Sequence, residues 1–147
     1  MVFRTAVVIA LLGAVFASPA ARAQGADGAV GLWQTQAGDA RVRVSKCGSA
    51  LCATVASLRD KIDPKTGRPA VDDKNPDPAK ATRSMIGIQL FIDMRSAGPN
   101  RWSGQIYNAD DGKIYASNVS VAGPDTLKVE GCVGAFCGGE NWTRVGK

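Results

Sequence analysis

The chain contains no histidine in its 147 residues. That removes every Ser-His-Asp or Cys-His nucleophile system, every histidine-based zinc or iron site, and the usual general base near neutral pH. No apolar run is long enough to cross a bilayer. The longest, Ala6 to Ala17, has twelve residues, against the roughly 20 that a spanning helix needs. Aromatic residues make up only 6% of the chain, and the basic residues Arg41, Arg43, Lys46, Arg59, Lys61, Lys65, Arg68 and Lys74 are scattered, with acids among them from Asp60 onward. A nucleic-acid binder shows a basic stripe with interleaved aromatics, so no nucleic-acid partner is expected. At 45% hydrophobic, the chain can still build a core, and its length suits a single domain.

The first segment reads as an address. Arg4 precedes the apolar run, Ser18-Pro19 breaks it, and Ala21-Arg22-Ala23 has the small-x-small form of a signal-peptidase site. Residues 1–23 are therefore expected to be a cleaved signal peptide, and residues 24–147 a single mature domain in the periplasm or outside the cell. No cysteine lies near the cleavage site, so no lipid anchor is expected there, and no transmembrane segment remains after cleavage. Loss of Arg4 and Arg22 lowers the net charge from +5 to +3.

Beyond the leader the apolar pattern has period two, the signature of strands. Gly31 to Gln36, Arg41 to Ser45, Ala53 to Leu58, Trp102 to Tyr107, Lys113 to Val121, Thr126 to Gly131 and Glu140 to Val145 read as strands. A longer strand is expected with Ile86, Ile88, Leu90 and Ile92 on one face, and Gln89, Phe91 and Asp93 on the other. Asp111-Gly112 is a strong type I′ hairpin signal. About eight strands with short turns suit an all-β antiparallel meander, closed on itself or folded into a sandwich. The inward face, inferred from apolarity, holds Val42, Val44, Ile86, Ile88, Leu90, Ile106 and Leu127.

Asp60 to Arg83 breaks the rhythm. This segment carries Pro64, Pro69, Pro76 and Pro78 and is far longer than a hairpin loop, so it reads either as a lid or as a solvated connector. Asp77 suits a helix N-cap and Pro78 the first helical position, which predicts one helical turn over Pro78 to Arg83. The acids Asp60, Asp63, Asp72, Asp73 and Asp77 lie among lysines and read as solvated. No catalytic residue is assigned. Asn108, Asp110, Asp111 and Gly112 miss the spacing of a calcium loop, and neither a metal nor a cofactor is expected.

The four cysteines form two C-x4-C pairs, Cys47/Cys52 and Cys132/Cys137. Two such pairs in a cytosolic protein would suggest a thiolate zinc site, whereas export argues for disulfides. Local pairing is favoured because each pair flanks a tight strand connection; crossed pairing, metal binding and free thiols stay open. Trp33 on the first strand and Trp142-Thr-Arg144 on the last form a further constellation, in which a guanidinium stacked on an indole would close one end of a small barrel. Tyr107 and Tyr115, across the Asp111-Gly112 hairpin, read as packing partners.

Several words then occur in order: Gly31-Leu-Trp33, Cys47-Gly-Ser-Ala-Leu-Cys52, Asp72-Asp-Lys-Asn75-Pro76-Asp77-Pro78, Gly87-Ile-Gln-Leu90, Trp102-Ser-Gly104-Gln-Ile-Tyr107, Asp111-Gly112-Lys-Ile-Tyr115, Leu127-Lys-Val-Glu-Gly131-Cys132 and Trp142-Thr-Arg144. The sequence resembles the exported bacterial family known as domain of unknown function 2147 over essentially the whole mature chain. Ser84-Met-Ile86 departs from the pattern, standing where a proline- and cysteine-bearing version is expected. The resemblance implies a lipocalin-like up-and-down β-barrel and assigns no catalytic residue.

The leading expectation is a barrel that binds a small apolar molecule at its mouth, gated by residues 60–83. Asn75, Pro76, Ile88, Leu90, Trp102, Tyr107 and Tyr115 are the candidate ligand contacts, and Trp33, Trp142 and Arg144 the closure. The alternative is a structural or protein-interaction module with a side-chain-filled barrel. A carboxylate-dependent hydrolase ranks third, because no ordered nucleophile-base set is visible.

Overall fold

The structure, a computed structural model, describes residues 25–147. The expected leader, residues 1–23, lies outside the described residues. A short helix α1 (Ala26–Ala29) leads into eight strands: β1 (Gly31–Gln34), β2 (Ala40–Cys47), β3 (Ala50–Leu58), β4 (Phe91–Gly98), β5 (Arg101–Asn108), β6 (Lys113–Gly123), β7 (Thr126–Val133) and β8 (Phe136–Gly146). Each strand pairs antiparallel with its sequence neighbours, and β1 pairs with β8, so the sheet is a closed barrel with no free edge. Among the described residues no helix is long and apolar enough to cross a membrane.

Alternation carries most of the wall. In β2, Val42 and Val44 point inward and are fully buried, while Arg41 and Arg43 are exposed. Leu51, Ala53 and Val55 repeat the pattern in β3, as do Leu127 and Val129 in β7. The core is packed around Trp33, Phe91, Met94, Trp102 and Trp142.

The strand expected around Ile86 is different. β4 begins only at Phe91, and the Ile86 side chain is 44% exposed. Phe91, expected to face outward, is fully buried, as is Met94 three residues on. The cause is a bulge. Ile92 pairs with Gln105 and Arg95 with Ser103, so β4 carries one residue more than β5 here, and Asp93 takes a positive φ of 47°. The extra residue reverses the inward parity between Phe91 and Met94. Gly104 faces the bulge: a Cβ there would meet the Ile92 carbonyl at 2.7 Å, so only glycine fits.

Two turns also differ from expectation. Asp111-Gly112 is not a two-residue type I′ turn. Four residues, 109–112, join β5 to β6; the Gly112 N–H donates to the Asn108 carbonyl at 2.8 Å, and the positive φ belongs to Gly112. The first strand stops at Gln34 because the Thr35 hydroxyl and backbone bond Ala40 across the turn. The turn after Asp77 does form: Asp77 Oδ1 accepts from the Ala79 N–H at 3.0 Å, and its carbonyl from the Ala81 N–H at 3.0 Å.

Both cysteine pairs are local disulfides, Cys47–Cys52 and Cys132–Cys137. They staple opposite ends of the barrel. The first holds the β2–β3 turn at one end. The second joins directly paired residues of β7 and β8 at the other.

Candidate functional site

The two ends of the barrel are built differently. At one end Arg144 on β8 lies over Trp33 on β1, with the guanidinium carbon 4.2 Å from the ring centroid. Its nitrogens donate to three carbonyls, Gly28 at 2.6 Å, Val30 at 2.8 Å and Pro124 at 3.0 Å. Trp33 Nε1 donates to the Ala29 carbonyl at 2.8 Å. Arg144 thereby ties α1, β1, β8 and the β6–β7 turn together, and this end is closed. Of the expected closure set, Trp142 does not meet the guanidinium. It stacks on Phe91 instead, ring centroids 6.0 Å apart and 7° from parallel.

At the other end lie the turns after β1, β5 and β7 and the long β3–β4 connection. Here a cavity of about 450 Å3 opens into the barrel, within the range of small-molecule sites. Val42, Val55, Leu90, Ile106, Val129 and Trp142 form its apolar wall and floor, with Leu58, Met85 and Val133 nearer the rim. The interior is thus divided, with the Trp33, Phe91, Met94 core toward the Arg144 end and the larger hollow toward the mouth.

The long connection is seated on the barrel rather than loose. Asp72 is fully buried, contrary to the expectation of a solvated acid, because both of its carboxylate oxygens find donors in place of water. Oδ1 accepts the Tyr107 hydroxyl at 2.6 Å. Oδ2 accepts Asn75 Nδ2 at 2.9 Å and Arg83 at 2.9 and 3.0 Å. The alternation that turns Trp102 inward leaves Tyr107 on the opposite face of β5, yet it is buried because the connection covers it. Burial, and then the Asp72 carboxylate beside it, hold the Tyr107 phenol above its ordinary value of 10.0. Lys74 also packs on Gly112 so closely that a Cβ there would overlap the Lys74 carbonyl group. Asp60, Asp73 and Asp77 remain exposed, so the loop acids do not assemble into a cluster.

Of the expected ligand contacts, Leu90, Tyr107 and Tyr115 border the cavity. Asn75 stands behind the wall, where its Nδ2 also reaches the Tyr107 hydroxyl at 3.1 Å, and Pro76 beside it is exposed. Ile88 is buried in a satellite cluster with Val55 and Tyr107. Trp102 belongs to the packed core and borders a separate hollow. Tyr115 donates its hydroxyl to Asp111, which raises the phenol's pKa and lowers the carboxyl's. Glu140 had no place in the expected set. It stands two residues before Trp142 on β8, so strand alternation alone aims both at the cavity, and Trp142 Nε1 donates to its carboxylate.

The family described as "Uncharacterized protein conserved in bacteria (DUF2147)" matches residues 31–144. The chain belongs to this family. Among solved structures, the chain is similar to "Protein HP1028 from the human pathogen Helicobacter pylori belongs to the lipocalin family", at 23% identity and a TM-score of 0.67, covering 79% of this chain and 82% of that one. At that identity the likeness carries the lipocalin-type barrel and no ligand. No curated protein matches the chain. The family match begins at Gly31 and ends at Arg144, the two residues that meet where the barrel closes.

Proposed function

We propose that this family member is an exported binding barrel that holds a small, mostly apolar molecule at its open end. The observation that carries the reading is the cavity of about 450 Å3, walled by aliphatic side chains and floored by Trp142. A core with this much apolar wall facing an opening forgoes packing contacts, and a guest of matching shape restores them. Export is supported by the leader pattern of residues 1–23 and by two disulfides, which persist in oxidising compartments. Residues 60–83, pinned through Asp72 to Tyr107, serve in this reading as a fixed rim that helps define the entrance.

The test is titration of the purified, disulfide-bonded protein with the neutral fluorophore N-phenyl-1-naphthylamine. One saturable site per chain, lost in Val129→Trp with the circular dichroism retained, is the expected result. A linear, unsaturable response would overturn the reading. A second reading, a protein-interaction module, is favoured by the stapled β7–β8 tip, where Val133 and Phe136 are 68% and 86% exposed. Affinity capture that depends on Phe136, together with failure of the dye to saturate, would favour it.

A further inference from the structure

The charged side chains in the cavity wall all have one sign. Asp39, Asp110 and Glu140 border it, and no lysine or arginine does. Glu140 is the deepest-set of the three: it is partly buried, shares the inward face of β8 with Trp142, and takes its hydrogen bond from that indole. Among the described residues none of these three carboxylates has a lysine or arginine within ion-pair distance. Arg59, beside the rim residue Ala37, is engaged by Asp60 and by the Ala37 carbonyl.

Resting on the binding-barrel reading, we propose that the guest is a cationic amphiphile: an apolar body in the mouth, and an amine or quaternary ammonium group between Glu140 and the aromatic faces of Trp142 and Tyr115. A carboxylate in a partly dry pocket is costly without a counter-charge and gains most from a cation. Trp142 and Tyr115 line the same cavity, and their rings can add cation–π attraction, which suits quaternary ammonium groups in particular. A fatty acid would instead bring its own carboxylate among three others and lose affinity to like-charge repulsion. The preference is local. The chain as a whole is basic, at +5, and at +3 without residues 1–23, so a general surface attraction would favour the anion.

Three probes with one apolar tail separate these effects: decyltrimethylammonium, decanoate and neutral decanol, each below its aggregation limit and each measured by displacement of N-phenyl-1-naphthylamine and by isothermal calorimetry. The ammonium probe is expected to bind at least about tenfold more tightly than decanoate, a difference of the size one poorly solvated charge contact supplies. Glu140→Gln should shrink that ratio several-fold, and raised salt should shrink it as well. Decanoate binding as tightly as the ammonium probe, or an unchanged ratio in Glu140→Gln, would overturn the cationic assignment and leave the binding barrel standing. Failure of all three probes to bind would overturn both.

Discussion

Arg144 and Gly31 share one small volume at the closed end of the barrel. A Cβ on Gly31, which holds a φ of 148°, would collide with the Arg144 guanidinium and lie 2.9 Å from the Gly146 carbonyl. The glycine is what lets the guanidinium pass to the Val30 and Gly28 carbonyls and still cover the Trp33 ring.

Arg144→Ala should therefore cost about 2–3 kcal/mol, from a lost cation–π contact and carbonyls left without their charged donor. Arg144→Lys should recover only part, since an ammonium lacks the planar fork. Urea unfolding midpoints measure both, and a shift within error for Arg144→Ala would count against the closure.

Gly31→Ala should destabilise the same corner through strain and overlap. Because its effect runs through Arg144, the double variant Gly31→Ala/Arg144→Ala should lose less than the sum of the single losses, by about 1 kcal/mol. Strict additivity in a double-mutant cycle would show that the two sites act independently.

Asp72→Ala should release the long connection, since it removes the acceptor of Tyr107, Asn75 and Arg83 together. Protease cleavage within residues 60–83 should quicken while hydrogen exchange in β5–β8 stays slow. The global cost should be about 2–3 kcal/mol, below that of a fully buried pair, because Arg83 is partly exposed and can turn to water. Gly112→Ala, which pushes on Lys74, should produce the same protease signature with Asp72 intact.

Tyr107 sets an alkaline limit. Its phenol is raised above 10.0 in the folded state, so folding favours the neutral form. The stability tied to it is whole below the unfolded value of 10.0 and is lost as pH rises through the folded value. Spectrophotometric titration should show a late phenol ionisation that is absent in Tyr107→Phe. The slope of stability against pH above 10 should flatten in the same variant.

The disulfides close short loops, so each should contribute only about 2 kcal/mol. Non-reducing peptide maps should show Cys47–Cys52 and Cys132–Cys137, and Cys47→Ser/Cys52→Ser should still fold. A Cys47–Cys132 peptide would contradict the structure.

Much of the barrel was legible in the chain because local rules suffice there. Val42 and Val44 alternate with arginines, the turns are short, and strands joined by short turns pair antiparallel with their neighbours. The Trp33–Arg144 contact was readable too, because residues on the first and last strands of a closed meander must meet. What the tertiary structure alone decided lies where a residue's setting depends on a partner distant in sequence. The Asp93 bulge needs Gly104 opposite it, and it brings both Phe91 and Met94 into the core. Tyr107 points outward by its own alternation and is buried only because Asp72 brings the connection down on it. The hollow at the mouth is a property of how many side chains converge from six strands. Alternation says which way each points, and only the closed geometry says how much space they leave.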